Sequence, residues 1–212
     1  MKHLDINGST FLPSPSPVPP FSFHLSSLTL DGTQLSTLSL SPSHFLQPSL
    51  TSLELKTTGL WRQTPAEHAH LNESLLPLAP NLLTLRLSSL ETVPFPKLDP
   101  FFSLLNSLQH LETHQVPILA LIPTRLKSWK TTYFLERNVP AHLEALRSGT
   151  RALEKLEKLV CLVKEMSRPR EAVREESWRE LREECEGRGI VLEVRSHDGA
   201  FEDISSDCSD ED

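Results

Sequence analysis

The residue types that could carry chemistry are concentrated in one short segment, His110-Leu111-Glu112-Thr113-His114. If this segment is a strand, alternate side chains share a face, which places His110, Glu112 and His114 side by side. Imidazole and carboxylate groups in such a row could bind zinc or a similar metal. A fourth ligand and a supporting shell are not visible in the sequence, however, and such a row also serves for ordinary contacts with a partner. We therefore expect no metal and no cofactor, and a zinc site stays the open alternative.

The sequence contains none of the common catalytic motifs, neither GxSxG, nor a P-loop, nor GxGxxG, nor HExxH. Its Gly187-x-Gly189 pair follows a predicted helix rather than a strand, which indicates the end of a helix and not a phosphate-binding loop. We expect a protein that is not an enzyme.

The element that would position the His110–His114 segment is one copy of a recurring leucine pattern. Three copies of L-x-x-L-x-L are clear, three more are degraded, and a partial copy stands at the start; their central residues are Leu4, Leu28, Leu53, Leu85, Leu111, Trp129 and Leu159. The intervals between them run from 18 to 32 residues, close to the roughly 20–29 residues of a leucine-rich repeat with one short strand. Leu35, Leu38 and Leu40 also match the pattern, but we favour Leu28 because the intervals on either side of it are regular.

This pattern predicts an α/β protein, namely an irregular leucine-rich-repeat solenoid with a parallel sheet and a C-terminal capping helix and strand. The predicted organisation is a partial repeat and a Pro/Ser-rich loop in 1–20, irregular repeats in 21–168, the capping helix and strand in 169–195, and a disordered acidic tail in 196–212.

Helices are expected between the strands. Their predicted starts are Thr64-Pro65, then Asp99-Pro100 ahead of Phe101, Leu104 and Leu105, and finally Pro140. The capping helix is expected over roughly 169–186, with Val173, Trp178, Leu181 and Cys185 on its apolar side, followed by a strand over Ile190–Val194.

Trp129 and Trp178 fall at apolar positions, which indicates the core, whereas Trp61 lies in a connecting segment and stays undecided between core and partner contact.

The residues between the inward leucines should face outward on the concave side of the sheet. They are Ser52, Glu54 and Lys56; Thr84, Arg86 and Ser88; His110, Glu112 and His114; Ser128, Lys130 and Thr132. Concave surfaces of such repeats commonly bind proteins. The expected partner-binding residues are Glu54, Lys56, Arg86, His110, Glu112, His114 and Lys130.

Charge is distributed unevenly along the chain, whose net charge is −7. Residues 196–212 hold seven acidic residues and no Lys or Arg, so the remainder is near neutral and lacks the basic surface that nucleic acids require. Ser206 and Ser209 lie among these acids and are candidate sites for an acidophilic kinase.

Localisation follows from what the sequence lacks. No apolar run approaches the roughly 20 residues of a membrane helix, no signal peptide is visible, and the three cysteines suggest neither a disulfide framework nor a metal site. We expect a cytoplasmic or nuclear protein with a protein substrate or partner, and with neither nucleic acid nor membrane as partner. The oligomeric state stays open.

A family resemblance rests on the imperfect leucine copies together with three stretches, PTRLKSWKTTYF, HLEALRSGTRALEKLEKLVCL and ESWRELREECEGRGIVLEV. Over about residues 20–195 the chain resembles the C-terminal leucine-rich-repeat part of a fungal F-box/leucine-rich-repeat protein. The resemblance implies the substrate-recognition part of an F-box ubiquitin ligase receptor. F-box helices are absent and the sequence starts inside a repeat, so adaptor binding is carried over to no residue. The alternative is a truncated or decayed repeat fragment with a structural or scaffold role and no ligase link.

Overall fold

The sheet is the main element of the chain. A computed structural model describes residues 3–6, 25–31, 49–56, 69, 72–73, 75–88, 98–113, 116–134, 139–163 and 176–196. Within these ranges the strands are β1 (His3–Ile6), β2 (Ser27–Asp31), β3 (Ser52–Lys56), β4 (Thr84–Ser88), β5 (His110–Glu112), β6 (Ser128–Phe134), β7 (Lys158–Val163) and β8 (Val191–Ser196). They form one sheet in chain order, and every neighbouring pair is parallel. The predicted α/β class with a parallel sheet is confirmed.

The register of the sheet aligns the leucine copies with one another. The central residues pair strand by strand in a single row, which runs Leu4, Leu28, Leu53, Leu85, Leu111, Trp129, Leu159 and Leu192. All strand centres predicted from the pattern are therefore confirmed, including Leu28 as the centre of β2. The competing residues Leu35, Leu38 and Leu40 lie outside the described residues.

A repeated backbone contact connects each strand from β2 to β7 with the next one in that series. The carbonyl just before a strand accepts two N–H groups from the start of the following strand, at N···O distances of 2.8–3.1 Å. The accepting carbonyls belong to Ser26, Thr51, Leu83, Gln109 and Lys127. Because buried backbone groups need partners, this contact fixes where each strand begins relative to its neighbour.

The core lies on the leucine side of the sheet. The described leucines that precede the strands are buried, as are those at the inward positions of β2 to β5 and Leu159 of β7, and the degraded positions Thr113, Thr131 and Cys161 are fully buried in the same way. Trp129 occupies a leucine position, where its Nε1–H donates to the Thr113 carbonyl at 3.2 Å. Its ring stacks on His142 with centroids 4.6 Å apart, so the larger side chain is accommodated without an unsatisfied N–H.

Three α-helices with described bounds lie between strands, α1 (Asp99–Ser103), α2 (Val139–Arg147) and α3 (Glu176–Gly187). The described residues Ala69, Asn72, Glu73 and Leu75, between β3 and β4, are helical as well. Short 3-10 helices span Ala79–Asn81, Val116–Leu121 and Arg151–Leu153. The predicted helix starts at Asp99-Pro100 and near Pro140 are confirmed, whereas Thr64-Pro65 lies outside the described residues. No helix in this part of the chain combines the length and apolar character that crossing a lipid bilayer requires.

The prediction that Leu104 belongs to the apolar face of α1 is wrong. The helix ends at Ser103, so Leu104 lies beyond it and is 40% exposed. Phe101 and Leu105 are fully buried as predicted. A helix of this length makes little more than one turn, so the helical spacing of apolar residues no longer applies at Leu104.

The last helix and strand follow the prediction with shifted ends. Trp178, Leu181 and Cys185 of α3 are buried, whereas Val173, with the rest of 169–175, lies outside the described residues. Gly189 ends the helix with φ of 70°, while the Ile190 N–H reaches the Cys185 carbonyl at 2.8 Å, which is a Schellman motif.

Strand β8 begins at Val191 rather than at Ile190 and includes Ser196, which was predicted in the tail. Residues 197–212, with Ser206 and Ser209, lie outside the described residues, as does Trp61.

A first prediction separates the two faces of β4. Leu85 is fully buried, so Leu85→Ala should lower the free energy of unfolding by about 2–5 kcal/mol through lost burial and a residual cavity. Its neighbour Thr84 is half-buried on the other face, and Thr84→Ala should change that free energy by no more than about 0.5 kcal/mol. Denaturant titration measures both. Equal losses would contradict the assignment of inward and outward faces.

A second prediction uses two neighbouring glycines. Gly189→Ala should destabilise the fold by about 1–2 kcal/mol because an alanine is strained at positive φ, although its Cβ would meet nothing within 4 Å. Gly187 is the last helical residue and its added Cβ would also meet open space. Gly187→Ala should therefore stabilise the fold, by up to about 1 kcal/mol. Thermal unfolding of the two variants gives the signs, and a shared sign would refute the role given to Gly189.

Candidate functional site

The candidate site is the outer face of the sheet, defined as the described outward side chains of β2 to β8. These side chains alternate with the buried leucines, and the register places equivalent positions next to one another. One row holds Ser27, Ser52, Thr84, His110, Ser128, Lys158 and the exposed Val191; the next holds Thr29, Glu54, Arg86, Glu112, Lys130, Val160 and Glu193; and Lys56, Leu162 and Arg195 follow them. Neighbouring strands stand about 4.8 Å apart, so charged groups in one row reach each other.

A first charge network crosses β2 to β6. Arg86 Nε lies 2.7 Å from Glu112 Oε2, and Arg86 Nη1 lies 3.7 Å from Glu54 Oε2. Lys130 Nζ lies 3.2 Å from Glu112 Oε1, and the Thr29 hydroxyl donates to Glu54 at 3.3 Å. Arg86 is 48% exposed, so each pair adds little stability. The network's main effect is to hold long side chains in fixed positions.

A second charge cluster lies at β7 and β8. Glu193 forms ion pairs with Lys158 and with Arg195. Partial burial raises the pKa of the Glu193 carboxyl, but the hydrogen bonds from Lys158 and Arg195 outweigh it, so that the pKa lies below its usual value. Glu193 therefore carries its negative charge at neutral pH and keeps both cations close to it.

Cations outnumber anions among the described side chains of the outer face. They include five cations, Lys56, Arg86, Lys130, Lys158 and Arg195, and three anions, Glu54, Glu112 and Glu193. Asp31 pairs with Lys56 in the register of β2 and β3, but its side chain is not described and is left out of this count.

An apolar spot interrupts this polar face on β7. Val160 is buried and Leu162 is half-buried, although both occupy outward positions. The continuous apolar run from Leu159 to Val163 indicates this spot in the sequence. A strand that is covered on both faces has an unbroken series of apolar residues rather than an alternation of apolar and polar ones. The sequence-based list of outward residues ended at β6 and therefore missed this spot.

The predicted partner-binding residues largely come together. Glu54, Lys56, Arg86, His110, Glu112 and Lys130 lie on the outer face. His114 lies outside the described residues, and the side chains of Ser88 and Thr132 are not described. The sequence analysis missed Lys158, Glu193 and Arg195. These residues alternate with inward residues on β7 and β8, so the two-residue alternation used for the earlier strands could have identified them.

The two described members of the His-Glu-His row are engaged in surface contacts. His110 Nδ1 lies 2.8 Å from the Ser128 hydroxyl, and both carboxylate oxygens of Glu112 are held by cations. Their arrangement suits a hydrogen-bonded surface rather than a pair of metal ligands. Among the described residues no three His, Cys, Asp or Glu side chains are placed to hold a metal ion.

The helical side of the molecule carries an open groove between α2 and α3. It has a volume of about 680 Å³ and is lined by Pro140, Leu143, Glu144, Arg147, Ser148, Ser177 and Glu180. Arg147 binds Glu184 and Glu180 at 3.2 Å each, and Arg188 binds Glu184 at 2.7 Å. Hydrogen bonds from Arg188 and Arg147 lower the pKa of Glu184. These contacts join the two helices.

The cysteines of the core are not suited to nucleophilic chemistry. Cys161 on β7 and Cys185 on α3 are both buried and free. Burial raises the pKa of Cys161 well above its ordinary value and raises that of Cys185 to about 11. The reactive thiolate is therefore disfavoured at both positions at neutral pH.

Comparison with the models of protein families, with curated proteins and with solved structures finds no match to this chain.

A third prediction concerns the pH dependence of stability. The lowered pKa of Glu193 means that its ion pairs contribute fully above the unfolded-state pKa, about 4.3, and are lost as the pH falls through the folded-state value. Glu193→Gln should therefore lower the free energy of unfolding at pH 7, by less than about 1 kcal/mol. The difference from the wild type should shrink as the pH falls through the lowered folded-state pKa of Glu193, which a second titration at acidic pH tests. Urea titrations at the two pH values measure it.

The control for this experiment is Glu157→Gln, which removes an exposed carboxylate just before β7. It should stay within about 0.5 kcal/mol of the wild type at both pH values. A Glu193→Gln difference that persists unchanged at low pH would show that packing, and not charge, explains the loss.

Proposed function

We propose that this chain is an irregular leucine-rich-repeat solenoid whose outer face binds a partner protein. Three features support the repeat interpretation: each copy of the leucine pattern contributes one strand, the strands stack in parallel and in chain order, and the interval between them varies while the register does not. Parallel neighbours require a crossover after every strand, as stacked repeats provide.

We propose that α3 and β8 cap the C-terminal end of the solenoid. Trp178, Leu181 and Cys185 turn their side chains into the same core cluster as the leucines of the repeats. Strand β8 then extends the sheet beside β7. A terminal repeat without such a cover would expose its leucines to water, at about 25 cal/mol for each Å² of apolar surface.

The single observation that carries the binding proposal is the ordered charge pattern of the outer face. Ion pairs join β3 to β6 and β7 to β8, so long side chains are already held in position before a partner arrives. Immobilising such side chains on binding costs about 0.5–1.5 kcal/mol each, and this arrangement reduces that cost. A broad open surface of this kind suits a protein partner better than a small molecule, which is usually enclosed in a concave pocket.

The proposed link to a ubiquitin ligase rests on the resemblance to F-box/leucine-rich-repeat proteins. The partner would accordingly be a protein substrate presented to a ubiquitin ligase. No residue of this chain is assigned to adaptor binding, and a scaffold role without a ligase link is the alternative outcome of the tests below.

A fourth prediction tests the outer face as a binding surface. A photo-crosslinking amino acid placed at Ser52 or Thr84 should capture a specific partner from a lysate of cells that express the chain. The matched control position is Arg182, exposed on α3 on the helical side, and it should not capture the same partner. Arg86→Glu combined with Lys130→Glu should abolish capture from Ser52 while leaving the far-ultraviolet circular dichroism unchanged.

Capture that is equally efficient from Arg182, or that survives the double charge reversal, would refute the proposal. The ligase link has its own measurement, the half-life of the captured partner after depletion of this chain. A longer half-life supports substrate recruitment, whereas an unchanged one leaves a scaffold role.

A further inference from the structure

Strand β8 has an open edge. It stands last in the order of the sheet, and β7 is its one neighbour among the described strands. All six residues of β8 pair with β7 without a register shift, whereas the pairing of β6 with β7 contains a shift between Thr131 and Phe134. The sequence of β8 also contains no proline. Bulges and prolines are among the features that keep edge strands from pairing, so β8 presents a regular edge to a further strand.

The backbone groups of β8 alternate between two directions. The Val191 N–H donates to the carbonyl of Glu157, just before β7, at 2.9 Å. Neighbouring residues of a strand direct their backbone groups to opposite sides. Residues that follow Val191 in steps of two therefore face β7, and the residues between them direct their N–H and C=O groups to the open edge. The edge-facing residues are Leu192, Val194 and Ser196.

The side chains of β8 are complementary to an identical strand. On the leucine side, Leu192 and Val194 pack against the core and are only half-buried, so part of their apolar surface is still accessible at this end of the sheet. On the outer face, Glu193 and Arg195 stand two residues apart with opposite charges. An antiparallel copy of the same strand would present apolar groups to the first pair and opposite charges to the second.

We propose that β8 pairs antiparallel with β8 of a second copy of this chain, with Val194 of both copies at the twofold axis. Val194 then lies opposite Val194 of the second copy, and Leu192 lies opposite Ser196 of that copy. All of these residues direct their backbone groups to the edge, so each opposed pair exchanges two hydrogen bonds. Glu193 lies opposite Arg195 of the second copy at a non-hydrogen-bonded position, where Cα atoms are about 4.5 Å apart and side chains come closest.

The charges of β8 select this register. An antiparallel pair centred on Glu193 would place two carboxylates opposite each other, and one centred on Arg195 would place two guanidinium groups opposite each other. Like charges in directly opposed positions destabilise a pair of strands. The register centred on Val194 instead places both glutamates opposite arginines.

Pairing about this axis would join the two sheets into one. The opposed charges of both copies lie on the outer face, so both outer faces lie on the same side of the joined sheet. The pairing does not depend on what the outer face binds. It would give a partner protein two copies of that surface side by side, which favours partners with two matching sites.

The first measurement is sedimentation velocity of the full chain at rising protein concentration. We expect monomers in exchange with dimers, because a contact along one strand is small for a protein interface. Glu193→Arg and Arg195→Glu each place like charges opposite one another, and each should raise the dissociation constant of the dimer by about tenfold. An equimolar mixture of these two variants should associate again, because the cations of one strand then lie opposite the anions of the other.

A matched pair of variants controls for general charge effects. Glu186→Arg and Arg182→Glu make the same charge changes at exposed positions of α3. Alone or mixed, they should leave the dissociation constant of the dimer unchanged. Melting temperatures show whether each variant is folded.

A second pair of measurements tests the backbone contact. Val194→Pro removes an N–H that faces the open edge and keeps the N–H groups that face β7, so it should abolish the dimer and preserve the fold. In the wild type, amide exchange at Leu192 and Val194 should slow as the protein concentration rises. Exchange at Glu193, whose N–H faces β7, should be slow at every concentration.

A monomer at all concentrations, a dimer that persists in folded Val194→Pro, or a charge-variant mixture that fails to associate would overturn the inference. Particles that grow beyond the dimer would also overturn it, in favour of head-to-tail pairing of β8 with β1 of the next copy. If Val194→Pro does not fold, the charge-variant mixture and the amide exchange decide. Capture of a partner from Ser52 or Thr84 tests the proposed function separately.

Discussion

One backbone contact, the carbonyl that receives two N–H groups from the start of the next strand, sets the geometry of the sheet from β2 to β7. It recurs from Ser26 to Lys127 with almost constant distances. By fixing where each strand starts, it fixes which side chains turn inward, because a slip of one residue would turn every leucine of a strand to the solvent. The core, the charge networks and the order of the rows all depend on this alignment.

The segments between strands are less constrained than the strands themselves. Intervals between strand centres differ from 18 to 33 residues, and they hold α-helices in some places and 3-10 helices in others. Even the leucine positions tolerate change, since Trp129 replaces a leucine where His142 covers its ring. Regularity in the sheet therefore coexists with irregular connections, because the hydrogen bonds that define the register lie within and just before the strands.

The strand centres could be predicted from the sequence because the leucine pattern is local and its period matches that of a strand. The ends of elements could not, as Leu104 and the start of β8 show, since they depend on how a short helix or turn meets its neighbour. The ion pairs depend on more than the row. The aligned copies place Glu112 beside Arg86 and Lys130, but which side chains of a row form ion pairs depends on the conformations of those side chains. Val160 and Leu162 were missed because the list of outward residues ended at β6.

The alternation of side chains along β3 to β6 separates the residues that form the core from those that face outward. Leu53 and Leu55 are fully buried, while Glu54 between them is half-buried and contacts Arg86 and Thr29 on neighbouring strands. A substitution at an exposed outward position can thus change the chemistry of this face at small cost in stability, whereas one at an inward position threatens the fold. The surface chemistry of the sheet can therefore vary independently of the packing of its leucine rows.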